Sequence, residues 1–120
     1  TTATGVNGSI PNPPSIVTAT ANAIVLIFGA SSINDAVVTV PSGYSNETIQ
    51  SIAEVVPTNC ALASKTIVSP GTEDPAAWTD WIDDVGSAWC AATVAIRPAA
   101  EAGGAGGFRS KIAGGLIVDA

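Results

Sequence analysis

The sequence predicts an all-β domain, an antiparallel β-sandwich of jelly-roll type with about seven to eight short strands. Runs of β-branched and aromatic residues recur about every 8–12 residues, and turn residues such as Pro, Gly and Asn separate them. The last of these runs alternates with a period of two, as a strand does. The 120 residues, 47% of them hydrophobic, suffice for one domain with its own core.

The N-terminal part of the chain is expected to be irregular before the first predicted strands begin. Three prolines within Gly5–Pro14 remove hydrogen-bond donors and fix φ, so this segment cannot hold a helix. Strands are predicted next at Ser15–Thr20 and Ala23–Phe28, with a two-residue turn between them. Because Ile24–Phe28 is apolar at every position, we expect a central strand with both sides covered.

Five further runs complete the predicted sandwich. They lie at Ala36–Val40, Thr48–Val56, Cys60–Val68, Ala77–Ile82 and Ala88–Arg97. The second of these runs also fits a helix, because its apolar residues follow helical spacing at Ile49, Ile52, Ala53 and Val56. A strand is the preferred interpretation there.

The two cysteines, Cys60 and Cys90, fall within predicted strands. Alternation places Cys90 on the same side of its strand as Val94 and Ile96, and Cys60 on the side opposite Lys65. Those sides are apolar, so both thiols are expected to point into the core. A disulfide between them and two buried thiols both remain open. A zinc site is excluded, because zinc needs four ligands and the chain has no His.

Composition and charge disfavour several classes of function. The net charge is −6 with four basic residues, whereas nucleic acids and anionic membranes recruit clustered Lys and Arg. The absence of His removes the commonest general base, and no enzyme activity is predicted. No membrane insertion is predicted either, because the longest apolar run, Ala23–Phe28, is far shorter than the about 20 residues of a spanning helix.

Five of the ten acidic residues lie between Glu73 and Asp84. Calcium prefers oxygen-rich loops of this kind, so Asp80, Asp83 and Asp84 form a candidate cation loop. The spacing does not match an EF-hand, because the required Gly and closing Glu are absent. A solvated acidic loop is the preferred interpretation, and no cofactor is predicted.

Three aromatic residues, Tyr44, Trp78 and Trp81, are candidates for stacking on sugar rings if they are exposed. Their separation sends Trp78 and Trp81 to opposite faces of the predicted strand, so the two rings do not form one platform. In so small a domain, core or interface positions are the preferred interpretation for these rings.

The C-terminal residues 99–120 differ in composition from the predicted domain at 1–98. The Gly-rich linker at 99–107 precedes an apolar end, which is not expected to stay free in water. This end is expected either to dock on its own domain or to reach a neighbouring subunit as an assembly arm by strand addition. The apolar residues of the arm are Phe108, Ile112, Leu116, Ile117 and Val118.

Several segments resemble a known structural module. They are Gly5–Pro14, Thr20–Phe28, Val40–Tyr44, Ala61–Lys65 and the closing Ala88–Pro98 with its Thr-Val-Ala-Ile-Arg-Pro end. Together these segments, roughly residues 5–98, resemble the jelly-roll-like β-sandwich module of tailed-phage virion surface proteins, which also occurs in secreted bacterial proteins. The resemblance implies a structural or adhesive role without catalytic residues. The chain from Ala99 onward departs from this pattern.

The resemblance and the composition together predict a virion structural protein, a capsid decoration or fibre-like surface component. Its expected partners are virion proteins such as the major capsid protein, or copies of itself in a homo-oligomer, at the virion surface. Two alternatives remain open. One is a glycan-binding adhesin module of a phage fibre or secreted bacterial protein, and the other is an extracellular filament subunit.

Overall fold

In the computed structural model, residues 1–6, 10–32, 38–52, 58–81 and 88–99 are described. This part of the chain contains no helix and seven strands, so the predicted all-β class is confirmed. The strands are β1 (Thr2–Val6), β2 (Ile16–Thr18), β3 (Ala23–Ser31), β4 (Ser45–Ile52), β5 (Thr58–Ile67), β6 (Gly71–Glu73) and β7 (Ala88–Ile96).

The described strands form two antiparallel sheets. Five strands lie in the order β1-β7-β3-β5-β4, and β2 pairs with β6 in a second sheet. Strand β3 is central, as its continuous apolar sequence predicts, and Ala30 lies opposite both Cys60 of β5 and Cys90 of β7. The architecture is sandwich-like, and the jelly-roll detail stays a prediction.

One face of the five-stranded sheet, called the inner face, is covered by the small sheet and by the connecting segments 38–44 and 74–81. Strand β3 buries its odd-numbered residues on this side. Because alternate residues of a strand face opposite ways, the even-numbered residues lie on the other side. The core cluster consists of Val25, Ile27, Val38, Tyr44, Ala61, Ala63, Trp78 and Trp81.

Two tryptophans from the 74–81 segment fill the space over the inner face. The rings of Trp78 and Trp81 meet edge to face, with centroids 6.0 Å apart. Both lie over Gly29, where an added Cβ atom would come within 3.0 Å of Trp78 Nε1. The indole nitrogen of Trp81 donates a 2.6 Å hydrogen bond to Ser31 Oγ. The small residue on β3 thus makes room for the two rings.

The strand predicted at Ala77–Ile82 is wrong for its described residues, 77–81. Within them only Thr79 has a β-type partner, in an isolated bridge to Thr39. The described part of the predicted strand Ala36–Val40 contains that same bridge and no strand. The apolar residues of both segments point into the core from loops, and loops leave no ladder to enforce alternation.

The strand at Thr48–Val56 is confirmed over the helix for residues 48–52, while residues 53–56 lie outside the described part. The strands predicted at 15–20, 23–28, 60–68 and 88–97 are confirmed with shifted ends. The sequence does not predict β1 or β6. Both are short and contain small residues, so pairing with β7 and β2 rather than intrinsic propensity makes them strands.

Candidate functional site

We call the face of the five-stranded sheet opposite the core the outer face. The strand register assigns no charged side chain to this face. Residues paired across neighbouring strands share a face of the sheet. Glu47 of β4 lies in the bulge between Ser45 and Thr48 and has no registered partner. The described side chains of the outer face are those of Thr2, Thr4, Ile24, Leu26, Phe28, Ala30, Ser45, Thr48, Gln50, Ile52, Thr58, Cys60, Leu62, Ser64, Thr66, Ala88, Cys90, Ala92, Val94 and Ile96.

Large apolar side chains on the outer face are exposed within the described structure. An antiparallel sheet that shows one face to water normally carries polar residues there. A contiguous exposed apolar patch usually marks an interaction surface. Within the described residues, the outer side of Ile24–Phe28 is therefore not covered as predicted. The exposed residues, with their exposed fractions, are Phe28 (38%), Ile24 (43%), Val94 (44%), Ile96 (49%) and Ile52 (55%).

A groove of about 510 Å³ crosses one end of the outer face and is lined by all five strands. Its rims are hydroxyl and amide side chains of the edge strands, Thr2 and Thr4 on β1 and Thr48 and Gln50 on β4. Its volume lies in the range of about 300–1,000 Å³ that ligand sites occupy. The side chains between the rims are small or apolar: Phe28, Ala30, Cys60, Leu62, Cys90 and Ala92.

The other end of the outer face carries branched aliphatic side chains and is called the aliphatic half. It comprises Ile24 and Leu26 of β3 with Val94 and Ile96 of β7, which pair across the strands. None of these four residues lines the groove. The outer face therefore has two parts, a concave one with small residues and one with larger residues beside it.

The side chains that line the groove carry apolar, hydroxyl, amide and thiol groups. Its lining contains no carboxylate, amine or guanidinium group, so nothing in it can exchange a proton with a substrate except the two thiols. Neither thiol has a basic residue beside it in the lining to activate it as a nucleophile. The groove can bury apolar groups and can satisfy backbone amides through its hydroxyl and amide rims.

Both cysteines are free and exposed on the outer face, so the prediction that they point into the core is wrong. They lie on either side of Ala30, two strand spacings apart, which places their Cα atoms about 10 Å from each other. A disulfide needs Cα atoms about 4.4–6.8 Å apart. The possible bridge between Cys60 and Cys90 is therefore not formed, because a whole strand separates them.

The candidate glycan-stacking residues are buried. Trp78 is 0%, Trp81 4% and Tyr44 7% exposed. Rings without a free face cannot stack on a sugar, so the three candidates are excluded as glycan contacts, and the preferred interpretation, that they are core residues, is confirmed. The expected opposite orientation of the two tryptophans is also wrong, since both lie in a loop and contact each other.

Tyr44 belongs to a polar cluster at the border of the core. Its hydroxyl donates to Glu73 Oε1 at 3.1 Å, and Lys65 Nζ bonds the same oxygen at 2.7 Å. Burial, followed by the contact with Glu73, raises the pKa of Tyr44 above its usual value. The cluster joins β6 to β5, so it ties the small sheet to the large one.

The candidate cation loop is only partly within the described residues. Asp80 accepts a hydrogen bond from the hydroxyl of Thr39. Asp83 and Asp84 lie outside the described part of the chain. Among the residues that the structure describes, no group of three or more acidic or cysteine side chains could hold a metal ion.

The predicted arm residues Phe108, Ile112, Leu116, Ile117 and Val118 all lie outside the described part, which ends at Ala99. Within that part, no helix has the length and apolar character needed to cross a membrane.

Sequence reasoning did not identify the rims of the groove, Thr2, Thr4, Thr48 and Gln50. The sequence nevertheless carries a signal for the outer face. On each of the long strands β3, β4, β5 and β7, the even-numbered residues carry no charge. That signal indicates which residues share a face, while the groove itself arises from five strands that the sheet brings together.

Comparison with known proteins gives no relative for this chain. No family model matches it, and neither the curated proteins nor the solved structures contain a match.

Proposed function

We propose that the protein is a non-enzymatic structural subunit of an assembly at the virion surface, a capsid decoration or fibre-like component. It assembles through its outer face and its C-terminal arm, with copies of itself or with virion proteins such as the major capsid protein. The observation that carries the proposal is the exposed outer face without a charged side chain at its registered positions.

The energetics of the outer face favour a partner. Covering an apolar side chain that is about half exposed contributes about 1 kcal/mol, and five such residues lie on this face. Because these positions carry no charge, a partner that covers them does not have to remove water from a charged group of this face. Such desolvation is the main cost of burying a polar surface. An uncharged sheet face suits a permanent contact better than a transient one.

The groove chemistry supports binding over catalysis, because its lining offers no acid–base pair. The glycan-binding alternative is less well supported, because its three candidate contact residues, Tyr44, Trp78 and Trp81, are all buried. The virion assignment itself rests on the resemblance of residues 5–98 to the phage surface module.

The assembly proposal is tested by placing a carboxylate on the aliphatic half. Val94→Asp is expected to lower the molar mass of the purified full chain to that of a monomer in light scattering, because a buried carboxylate is costly. Val17→Asp is the matched control, since Val17 is also an exposed valine, on β2 and away from this face. Equal masses for both variants and the wild-type chain would contradict assembly through this half.

The virion assignment is tested separately. Mass spectrometry of phage particles, purified from the organism that encodes the chain and washed at high salt, should detect the protein in stoichiometric amount. Its absence from washed particles, together with long filaments of the purified chain in negative stain, would favour the filament alternative.

A further inference from the structure

We infer that the C-terminal arm, residues 108–118, docks in the groove of its own chain. The groove is an apolar surface open to solvent in the described structure, and the arm is an apolar segment of this chain that lies outside the described part. The docking itself does not depend on the virion role. Its consequence for assembly, given below, rests on the proposed function.

The side-chain pattern of the arm matches an uncharged groove. In an extended conformation, Phe108, Ser110 and Ile112 lie on one side of the arm, while Arg109 and Lys111 lie on the other. The groove lining has no carboxylate to receive a cation, so the two basic residues face solvent and the apolar side faces the groove. The small residues Ala30 and Ala92 leave space for the larger side chains of the arm.

The groove also satisfies the backbone of a docked segment. A chain laid on an apolar surface must find partners for its N–H and C=O groups. The hydroxyls of Thr2, Thr4 and Thr48 and the amide of Gln50 stand along both rims. Threonine and glutamine donate and accept hydrogen bonds without bringing a charge. Apolar residues between uncharged polar rims are therefore suited to a peptide segment.

The linker has the length to bring the arm to this groove. The described chain ends at Ala99, three residues after β7, and β7 itself lines the groove at Cys90–Ala92. Those residues lie about 13–20 Å from Ile96 along the strand. A Gly-rich linker of nine residues spans about 15–18 Å on average. Such a short tether gives an effective concentration in the millimolar range, which favours docking within the chain over docking between chains.

For the proposed assembly, this docking means that an isolated subunit holds its arm in its own groove until a partner binds. Exchange of the arm into the groove of a neighbouring copy replaces one contact with an identical one, which is a low-cost route to an oligomer. Intramolecular docking covers the groove of the isolated subunit, while the aliphatic half stays open for the first contact with a partner.

The two native thiols report directly on this docking. Cys60 and Cys90 are the only cysteines in the chain, and both line the groove. We expect iodoacetamide to alkylate both thiols of the full chain about tenfold more slowly than those of the full-length Ile112→Asp variant, whose new carboxylate faces the groove. The rates are measured for each cysteine by mass spectrometry of the proteolytic peptides.

Lys111→Asp provides the matched control. It introduces the same carboxylate one residue away, on the side of the arm that faces solvent, so protection of the thiols should be retained. Circular dichroism of each variant verifies that the domain is folded. Equal alkylation rates in the wild-type chain and both variants would overturn the proposal, as would loss of protection in both variants.

Dilution separates docking within the chain from exchange between chains. Protection that is unchanged over a hundredfold dilution supports intramolecular docking, whereas protection that falls on dilution overturns it and favours exchange between copies. The molar mass of the Val94→Asp variant tests assembly independently of the thiols. The docking and the proposed function can therefore fail separately.

Discussion

The two faces of the five-stranded sheet share one hydrogen-bonded ladder but differ in what covers them. On the inner face, Gly29 lies beneath two tryptophans from a loop, and Ala61 and Ala63 belong to the same core cluster. On the outer face, Ile24 and Phe28 of the same central strand are exposed in the described structure. The larger aliphatic side chains of β3 thus lie partly on the open side. In this sheet both faces carry apolar residues, and the buried face is the one where Gly29 leaves room for a covering layer.

The comparison also shows where the two faces keep their polar groups. The inner border contains the ion pair of Lys65 and Glu73, bonded to the Tyr44 hydroxyl. The outer face has only hydroxyl, amide and thiol groups at its registered positions. The charges at the inner border are paired between the two sheets, whereas the registered positions of the outer face carry no charged side chain.

The largest effect should come from removing the layer that covers the inner face. Trp78→Ala is expected to lower the free energy of unfolding by about 3–5 kcal/mol, because the ring is fully buried and leaves a cavity. Phe28→Ala on the outer face should cost only about 1–2 kcal/mol, since its ring is partly exposed already. Urea denaturation of both variants measures the difference. Equal losses would contradict the unequal burial of the two faces.

A smaller loss of stability is expected at Gly5 of β1, where the missing side chain leaves space for the ring of Trp89. Gly5 pairs with Trp89, and an added Cβ atom would clash with that ring. Gly5→Ala should lower the melting temperature by an amount equivalent to about 1 kcal/mol, since overpacking outweighs the gain in strand propensity. Gly71→Ala is the control, because no atom lies within 4 Å of its added Cβ, and it should leave the melting temperature nearly unchanged.

The smallest effect concerns pH and the polar cluster. The pKa of Tyr44 is raised in the folded protein, so folding favours the neutral phenol. This contribution is fully present below the unfolded pKa of about 10 and is lost as the pH rises beyond it. The wild-type chain should therefore lose more stability between about pH 9 and pH 11 than the Tyr44→Phe variant. Parallel pH profiles of thermal unfolding for the two proteins would contradict a raised pKa at Tyr44.

The sequence by itself determined the strands that carry strong β patterns and the residues that share a face on each. Period-two alternation correctly placed Cys90 with Val94 and Ile96 on one side of β7, and the apolar run at Ala23–Phe28 correctly indicated the central strand. These properties are local, because they follow from the pleat of a single strand and from the turns that bound it.

Only the tertiary structure decided which side of the sheet is buried. Both sides of β3 are apolar, so alternation yields two sets of residues without assigning either of them to the core. The choice is made by Trp78 and Trp81, which reach the inner face from a loop some 50 residues away in sequence from Gly29. Packing between such distant residues depends on volume, and local periodicity carries no information about it. For the same reason the cysteines, expected in the core, lie in a groove that five strands form together.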